Sequence, residues 1–265
     1  MADVEGARTF HTPAEAYDRH IGRYSGALAR ALIAAAGVGR GDRAVDVGCG
    51  PGGLTAELAA VLGAERVAAA DPSEPFAAAC RARVPGARVE VAAAEALPFE
   101  DAAFDRALAQ LALNFMSDAP MGLGEMRRVT RPGGTVAAAV WDYAGEMTLL
   151  RRFWDAAIAE DPAAADHDEG RTMRFCSPDE LRGLWSAAGL QDVEVSAVVV
   201  RAAYEGFEDL WGPFEAGVGP AGAYAAALPP DRRAALKDGL RRRLGVGAEP
   251  FRLPARAWMA TGRVA

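Results

Sequence analysis

Apolar positions recur along this chain in two rhythms, short continuous runs and helical stripes, and their alternation predicts where strands and helices fall. Residues 13–36 read as helical, with Tyr17, Ile21, Tyr24, Leu28, Leu32 and Ile33 near helical spacing. Residues 37–42 form a glycine-rich turn. Residues 43–47 form a strand whose near-continuous apolar character suits burial by helices on both faces. A helix over 54–62 and a second strand over 66–71 follow. Pro72 and Ser73 open another helix that runs to about Val84, where Pro85-Gly86 ends it, and 87–92 is a third strand. Strand alternating with helix predicts a parallel, doubly wound sheet.

Beyond Trp141 this rhythm breaks. Residues 147–158 form an amphipathic helix, and the acidic, alanine-rich stretch 160–169 follows it. Ser177-Pro178-Asp179-Glu180 is a helix start, with Ser177 at the N-cap, Pro178 in the first turn and Glu180 placed for a capping box. That helix ends at Gly189 and a strand spans 191–201. Residues 204–250 set Phe207, Trp211, Phe214 and Tyr224 among glycines and prolines before a last strand at about 252–264. These aromatics either border a pocket mouth or pack the insertion onto the domain.

With 265 residues, 51% of them hydrophobic and 25% charged, the chain is long enough for one α/β domain with an added subdomain. A net charge of −7 argues against nucleic acid as a partner, and the run Arg241-Arg242-Arg243 reads as a solvated helix end. Residues 1–12 are polar, without the apolar core of a secretory signal, and no apolar run is long enough to span a membrane. Cys49, Cys80 and Cys176 are scattered without metal-ligand or disulfide spacing. Together these features predict a cytoplasmic protein with no metal site and no membrane contact.

The candidate chemistry lies in 44–58. Gly48, Gly50 and Gly53 fit G-x-G-x-x-G, where a strand runs through a tight turn into a helix whose first N–H groups face a ligand. Asp46 stands inside that strand and Asp71 at the end of the next, where a carboxylate can accept both hydroxyls of a ribose.

At these residues the chain resembles the class I S-adenosylmethionine (SAM)-dependent methyltransferases, and more narrowly the UbiE-like, type 11 small-molecule branch. Ala94-Glu95-Ala96-Leu97-Pro98-Phe99 looks like that family's loop after the third strand, 104–111 like its fourth strand, and 125–140 like the helix, turn and fifth strand that follow. The resemblance implies a Rossmann-like, mostly parallel seven-stranded sheet with an antiparallel last strand and helical cap insertions. It divides one domain into a helical cover over 1–36, a SAM-binding core over 37–141 and cap or substrate insertions over 142–176 and 202–250. A C-terminal helix and edge strands over 177–201 and 251–265 complete it.

The implied cofactor is SAM, leaving S-adenosylhomocysteine, and the implied partner is a small-molecule methyl acceptor. Asp46, Gly48, Cys49, Gly50 and Gly53 would take the amino acid and ribose portions. Asp71 would bind the ribose diol, with Pro72, Ala94 and Glu95 at the adenine and Gln110 and Leu111 at the methyl-bearing end. Tyr17 or Tyr24 would touch the cofactor or merely pack. Ala93 stands where the family often carries an aspartate. Methyl transfer is an in-line displacement that depends mainly on positioning, so no catalytic residue is named. Asp142 is expected to contact the acceptor or the cap. Two alternatives stay open: a SAM-binding protein without catalysis, and a nicotinamide oxidoreductase, which the single lysine, Lys237, and the acid inside the strand disfavour.

Overall fold

The computed structural model of this protein describes residues 20–265. Its strands are β1 (Ala44–Val47), β2 (Val67–Asp71), β3 (Arg88–Val91), β4 (Phe104–Gln110), β5 (Thr130–Trp141), β6 (Gln191–Tyr204) and β7 (Phe251–Arg263). They form one sheet in the order β3-β2-β1-β4-β5-β7-β6. The first five run parallel to their neighbours, and β7 runs antiparallel to both β5 and β6. Every residue of β1 and β2 is buried, as their unbroken apolar character required.

Helices α1 (Ser25–Ala35), α2 (Gly53–Leu62), α3 (Glu74–Arg83) and α4 (Ala119–Val129) flank the parallel part. Next come α5 (Thr148–Glu160), the short α6 (Glu169–Thr172) and α7 (Pro178–Ala187). Between β6 and β7 lie α8 (Phe207–Glu215), α9 (Gly219–Ala227) and α10 (Pro230–Leu244). At the start of α7, Ser177 Oγ accepts from the Glu180 N–H at 3.4 Å and donates to Glu180 Oε2 at 2.8 Å, so the reciprocal cap closes through the hydroxyl.

The structure refines one expectation and decides two alternatives. The single helix expected over 13–36 is, within the described residues, a 3-10 turn at Ile21–Tyr24 followed by α1; residues 13–19, with Tyr17, lie outside them. Tyr24 is fully buried, 3.3 Å from the Tyr204 hydroxyl and edge-on to Trp141, so it packs the core. Among the insertion aromatics, Phe207, Trp211 and Phe214 are 2% exposed or less, and Phe214 stacks on Phe153 of α5 at 4.7 Å. Burial of rings this large is worth more to the fold than exposure at a pocket mouth.

Candidate functional site

The strand order reverses between β1 and β4, and in a wound sheet the ligand crevice opens there, at the carboxyl ends of the strands. The loop after β1 forms its floor. Gly48, at φ +74°, donates its N–H to Ala70 O at 2.8 Å, and a Cβ at this position would stand 2.3 Å from Ala112 Cβ. Gly53 is a glycine for a different reason: its Cβ would meet Ser25 Oγ at 2.3 Å, so the absent side chain lets α1 dock on the start of α2. Gly50 alone of the three has open space where a Cβ would project.

The Gly53 contact predicts a specific outcome. Gly53→Ala should destabilise the fold by roughly 1–3 kcal/mol, the usual cost of overpacking. Adding Ser25→Ala should restore part of that loss in urea unfolding, because it removes the clashing hydroxyl. If the double variant were less stable than Gly53→Ala, the contact would not be the cause.

Asp71, 6% exposed, accepts from the Gly50 N–H at 2.8 Å with one oxygen and from the Ser73 N–H at 2.9 Å with the other. Burial raises its pKa despite these two backbone donors. Asp46 is completely buried; Thr55 Oγ1 donates to its Oδ2 at 2.6 Å, while Oδ1 has no hydrogen-bond partner among the described residues. Burial pushes the Asp46 carboxyl up to about 8, against the Thr55 hydrogen bond. Cys49 also lines the crevice, its thiol held protonated by its contact with Cys80 and by burial.

Gln110, at the end of β4, donates to Ser25 Oγ at 2.8 Å, and its own buried Oε1 has no partner among the described residues. Leu111, next along, sits at φ +59°, a left-handed conformation that costs a non-glycine residue on the order of 1 kcal/mol or more. Ala94 and Glu95 belong to the 3-10 turn after β3, and Glu95 Oε1 accepts from the Asp118 N–H at 3.0 Å. All eleven candidate residues, Pro72 included, line one crevice, and Ala93 lies among them.

The other wall comes from β5 and the insertions: Trp141 at the end of the strand, Tyr143 after it, Leu150 on α5, Glu169 on α6 and residues 218–221 at the start of α9. His20 closes the top, its ring edge-on to Phe214 and kept neutral because burial, aided by Arg23, lowers its pKa to about 3. Asp142 does not line this crevice. It pairs with Arg256 of β7 at 2.6 Å and accepts from the Glu146 N–H at 2.7 Å, so it ties the turn after β5 to the neighbouring strand. Of the contacts expected of Asp142, with an acceptor or with the cap, its partners here are in the turn that opens residues 142–176 and in β7.

Glu169 is the residue that sequence reasoning passed over. It is 3% exposed, accepts from the Trp154 Nε1–H at 3.0 Å, and burial pushes its pKa up to about 7. In the sequence it is one acid among several in an alanine-rich stretch, with no motif or periodicity to mark it. Among the described lining residues the charged types are Asp46, Asp71, Glu95 and Glu169, with no lysine or arginine. No group of three or more metal-ligating side chains occurs among the described residues, and none of their helices is long and apolar enough to cross a membrane.

Comparison with known proteins names this arrangement. The profile of a family described as a methyltransferase domain matches residues 45–138. A malonyl-[acyl-carrier protein] O-methyltransferase of Erwinia pyrifoliae is 30% identical over 77% of this chain and 84% of its own. The chain belongs to the SAM-dependent methyltransferases. A demethylmenaquinone methyltransferase of Roseiflexus castenholzii is 31% identical over 74% of this chain and 89% of its own. In fold, this methyltransferase is similar to phosphoethanolamine N-methyltransferase 2 of Haemonchus contortus, solved with S-adenosylhomocysteine. That likeness has a TM-score of 0.61 at 16% identity and covers 99% of this chain and 60% of the other. Family membership makes the protein an enzyme with SAM as its cofactor and sets aside the nicotinamide and non-catalytic readings.

Proposed function

We propose that this methyltransferase transfers the methyl group of SAM by in-line displacement to a small, partly apolar metabolite enclosed between the sheet and its insertions. The observation that carries the reading is the pair of buried acceptor oxygens in the crevice, Asp46 Oδ1 and Gln110 Oε1, that have no partner among the described residues, in a described lining without lysine or arginine. A ligand with an ammonium and a sulfonium fits such a cradle, since a buried carboxylate without a partner is costly and a cation relieves it. When bound, SAM supplies an activated methyl group on a positively charged sulfur.

The chain's own residues supply position. Asp46 and the Gly48 carbonyl would hold the amino acid end, and Gly50, which has room, would let the backbone approach. Asp71, with lone pairs beyond its two backbone bonds, would take the ribose diol. Pro72, Ala94 and Glu95 would border the adenine, with Ala93 offering only a methyl, and Gln110 and Leu111 would flank the reacting end. Residues 37–141 would then be the cofactor-binding core, with the acceptor enclosed by 142–176 and 202–250. Such positioning supplies on the order of 7–11 kcal/mol in favourable cases. The apolar wall, with Trp141, Tyr143 and Leu150, supports an acceptor that is partly hydrophobic.

Calorimetry tests the cofactor site directly. Because the empty-site Asp46 carboxyl lies near 8, a cation binding at pH 7 must expel its proton. SAM should therefore bind with proton release, visible as a dependence of the enthalpy on the buffer, and with affinity that rises between pH 6 and pH 8. Proton-neutral binding with a flat pH profile would remove Asp46 from the cation site.

A further inference from the structure

We propose that Glu169 is the acceptor-side carboxylate of this pocket and that the methyl acceptor is an amine carried on an apolar body. The inference rests on the methyltransferase reading above and concerns which nucleophile the pocket takes. Topology puts Glu169 on that side. The cofactor loops follow β1, β2 and β3, whereas Glu169 shares its wall with Trp141 at the end of β5, with Tyr143 beyond it and with Leu150 of α5.

Among the described residues Glu169 has no ion pair. Arg151 of α5 is taken up by the adjacent Asp168, whose two oxygens accept from the guanidinium at 3.0 and 2.8 Å, and Arg171 also lies against Asp168, at 3.7 Å. Glu169 has only the Trp154 Nε1–H on Oε2, and no hydrogen bond to Oε1 is found among the described residues. A carboxyl so buried gains most from a ligand that brings a positive charge. Its raised pKa means that an arriving ammonium can draw it into the ionised form.

The same ledger rejects the other nucleophiles. A carboxylate or phosphate acceptor would be enclosed beside Glu169 and Asp46 with no described lysine or arginine in the lining to balance it, and the described lining histidine, His20, is neutral. An alcohol would meet no repulsion but would not supply the missing counter-ion. An ammonium does, and aromatic neighbours such as Trp141 also favour it.

The chemistry then balances. The bound ammonium cedes one proton to Glu169, and the freed nitrogen lone pair forms the new nitrogen–carbon bond as the carbon–sulfur bond breaks onto sulfur. The product leaves as a methylated ammonium, with the sulfur neutral, and Glu169 returns its proton to solvent.

The test uses three matched series. Phenethylamine, tryptamine and dodecylamine, with their alcohol and carboxylic acid counterparts, are scored two ways: by thermal shift of the protein loaded with S-adenosylhomocysteine, and by methyl transfer from SAM. Amines should bind and be methylated, and acids should do neither. Glu169→Gln should weaken amine binding and lower turnover of the best amine by at least about 10²-fold, with SAM affinity changed by less than about threefold. Three outcomes overturn the proposal: preference for the acids or alcohols, a Gln variant as active as wild type, or a wild type that binds SAM but none of the amines. Wild type that fails to bind SAM would instead defeat the cofactor-site reading. The wild-type selectivity requires no variant, so it decides the matter even if Glu169→Gln does not fold.

Discussion

Asp71→Ala should lower SAM affinity by on the order of 10²-fold or more and lower stability at the same time, because one carboxylate serves both. Its two oxygens accept the Gly50 and Ser73 N–H groups, which fixes the glycine loop against the turn after β2. An alanine leaves both donors without an acceptor, and a buried donor without a partner costs roughly 1–3 kcal/mol, less where solvent reaches it. A total loss of about 2–3 kcal/mol is expected in denaturant unfolding. Asp71→Asn separates the two roles: its amide oxygen can still accept one backbone N–H, but the charge is gone. If the alanine variant bound SAM within about threefold of wild type, Asp71 would be a loop cap and nothing more.

Asp46→Asn should do the opposite to stability while still impairing binding. The folded Asp46 carboxyl lies near 8 against 3.8 for an ordinary aspartate, so between those values the native state keeps a proton that the unfolded chain has released. Stability contributed by this site therefore falls as pH rises from about 4 to about 8. Glu169, raised to about 7 from 4.5, pulls in the same direction over a narrower range. The amide cannot ionise, and it preserves an acceptor for the Thr55 hydroxyl. At about 1.4 kcal/mol per pKa unit, the variant should gain on the order of 2–4 kcal/mol relative to wild type between pH 5 and pH 8. Its SAM affinity should fall at least about tenfold, worth about 1.4 kcal/mol, and lose its rise with pH. Thermal unfolding at pH 5 and pH 8, with SAM titrations at each, checks both halves. A variant less stable than wild type at pH 8 would mean that Asp46 is ionised in the native state and supported by contacts with its loop.

The sheet and the glycine loop were legible in the sequence because their determinants are local. Buried parallel strands need unbroken apolar runs. A strand-to-helix turn that admits a ligand needs Gly48 and Gly50, and the two acids are fixed by their distance from those glycines along the chain. Capping at Ser177 follows the same logic, since all its partners lie within one helical turn.

Other features depend on residues that only the fold makes neighbours. Gly53 matches the glycine motif, but what requires it is Ser25, a contact from the preceding helix. Asp142 follows a parallel strand, where ligands are expected, yet Arg256, 114 positions away, claims it. The aromatics of the second insertion could have faced a pocket or a core, and the position of α5 beneath them decided for the core. Glu169 gave no local signal at all. The sequence by itself determined a wound sheet, a glycine loop and two acids, one inside a strand and one at the end of the next, because backbone hydrogen bonding and apolar burial act over a few residues. Tertiary structure alone decided that the buried Glu169 carboxyl would line the crevice with no described lysine or arginine in that lining, because charge pairing is settled by which side chains distant segments bring within a few ångströms.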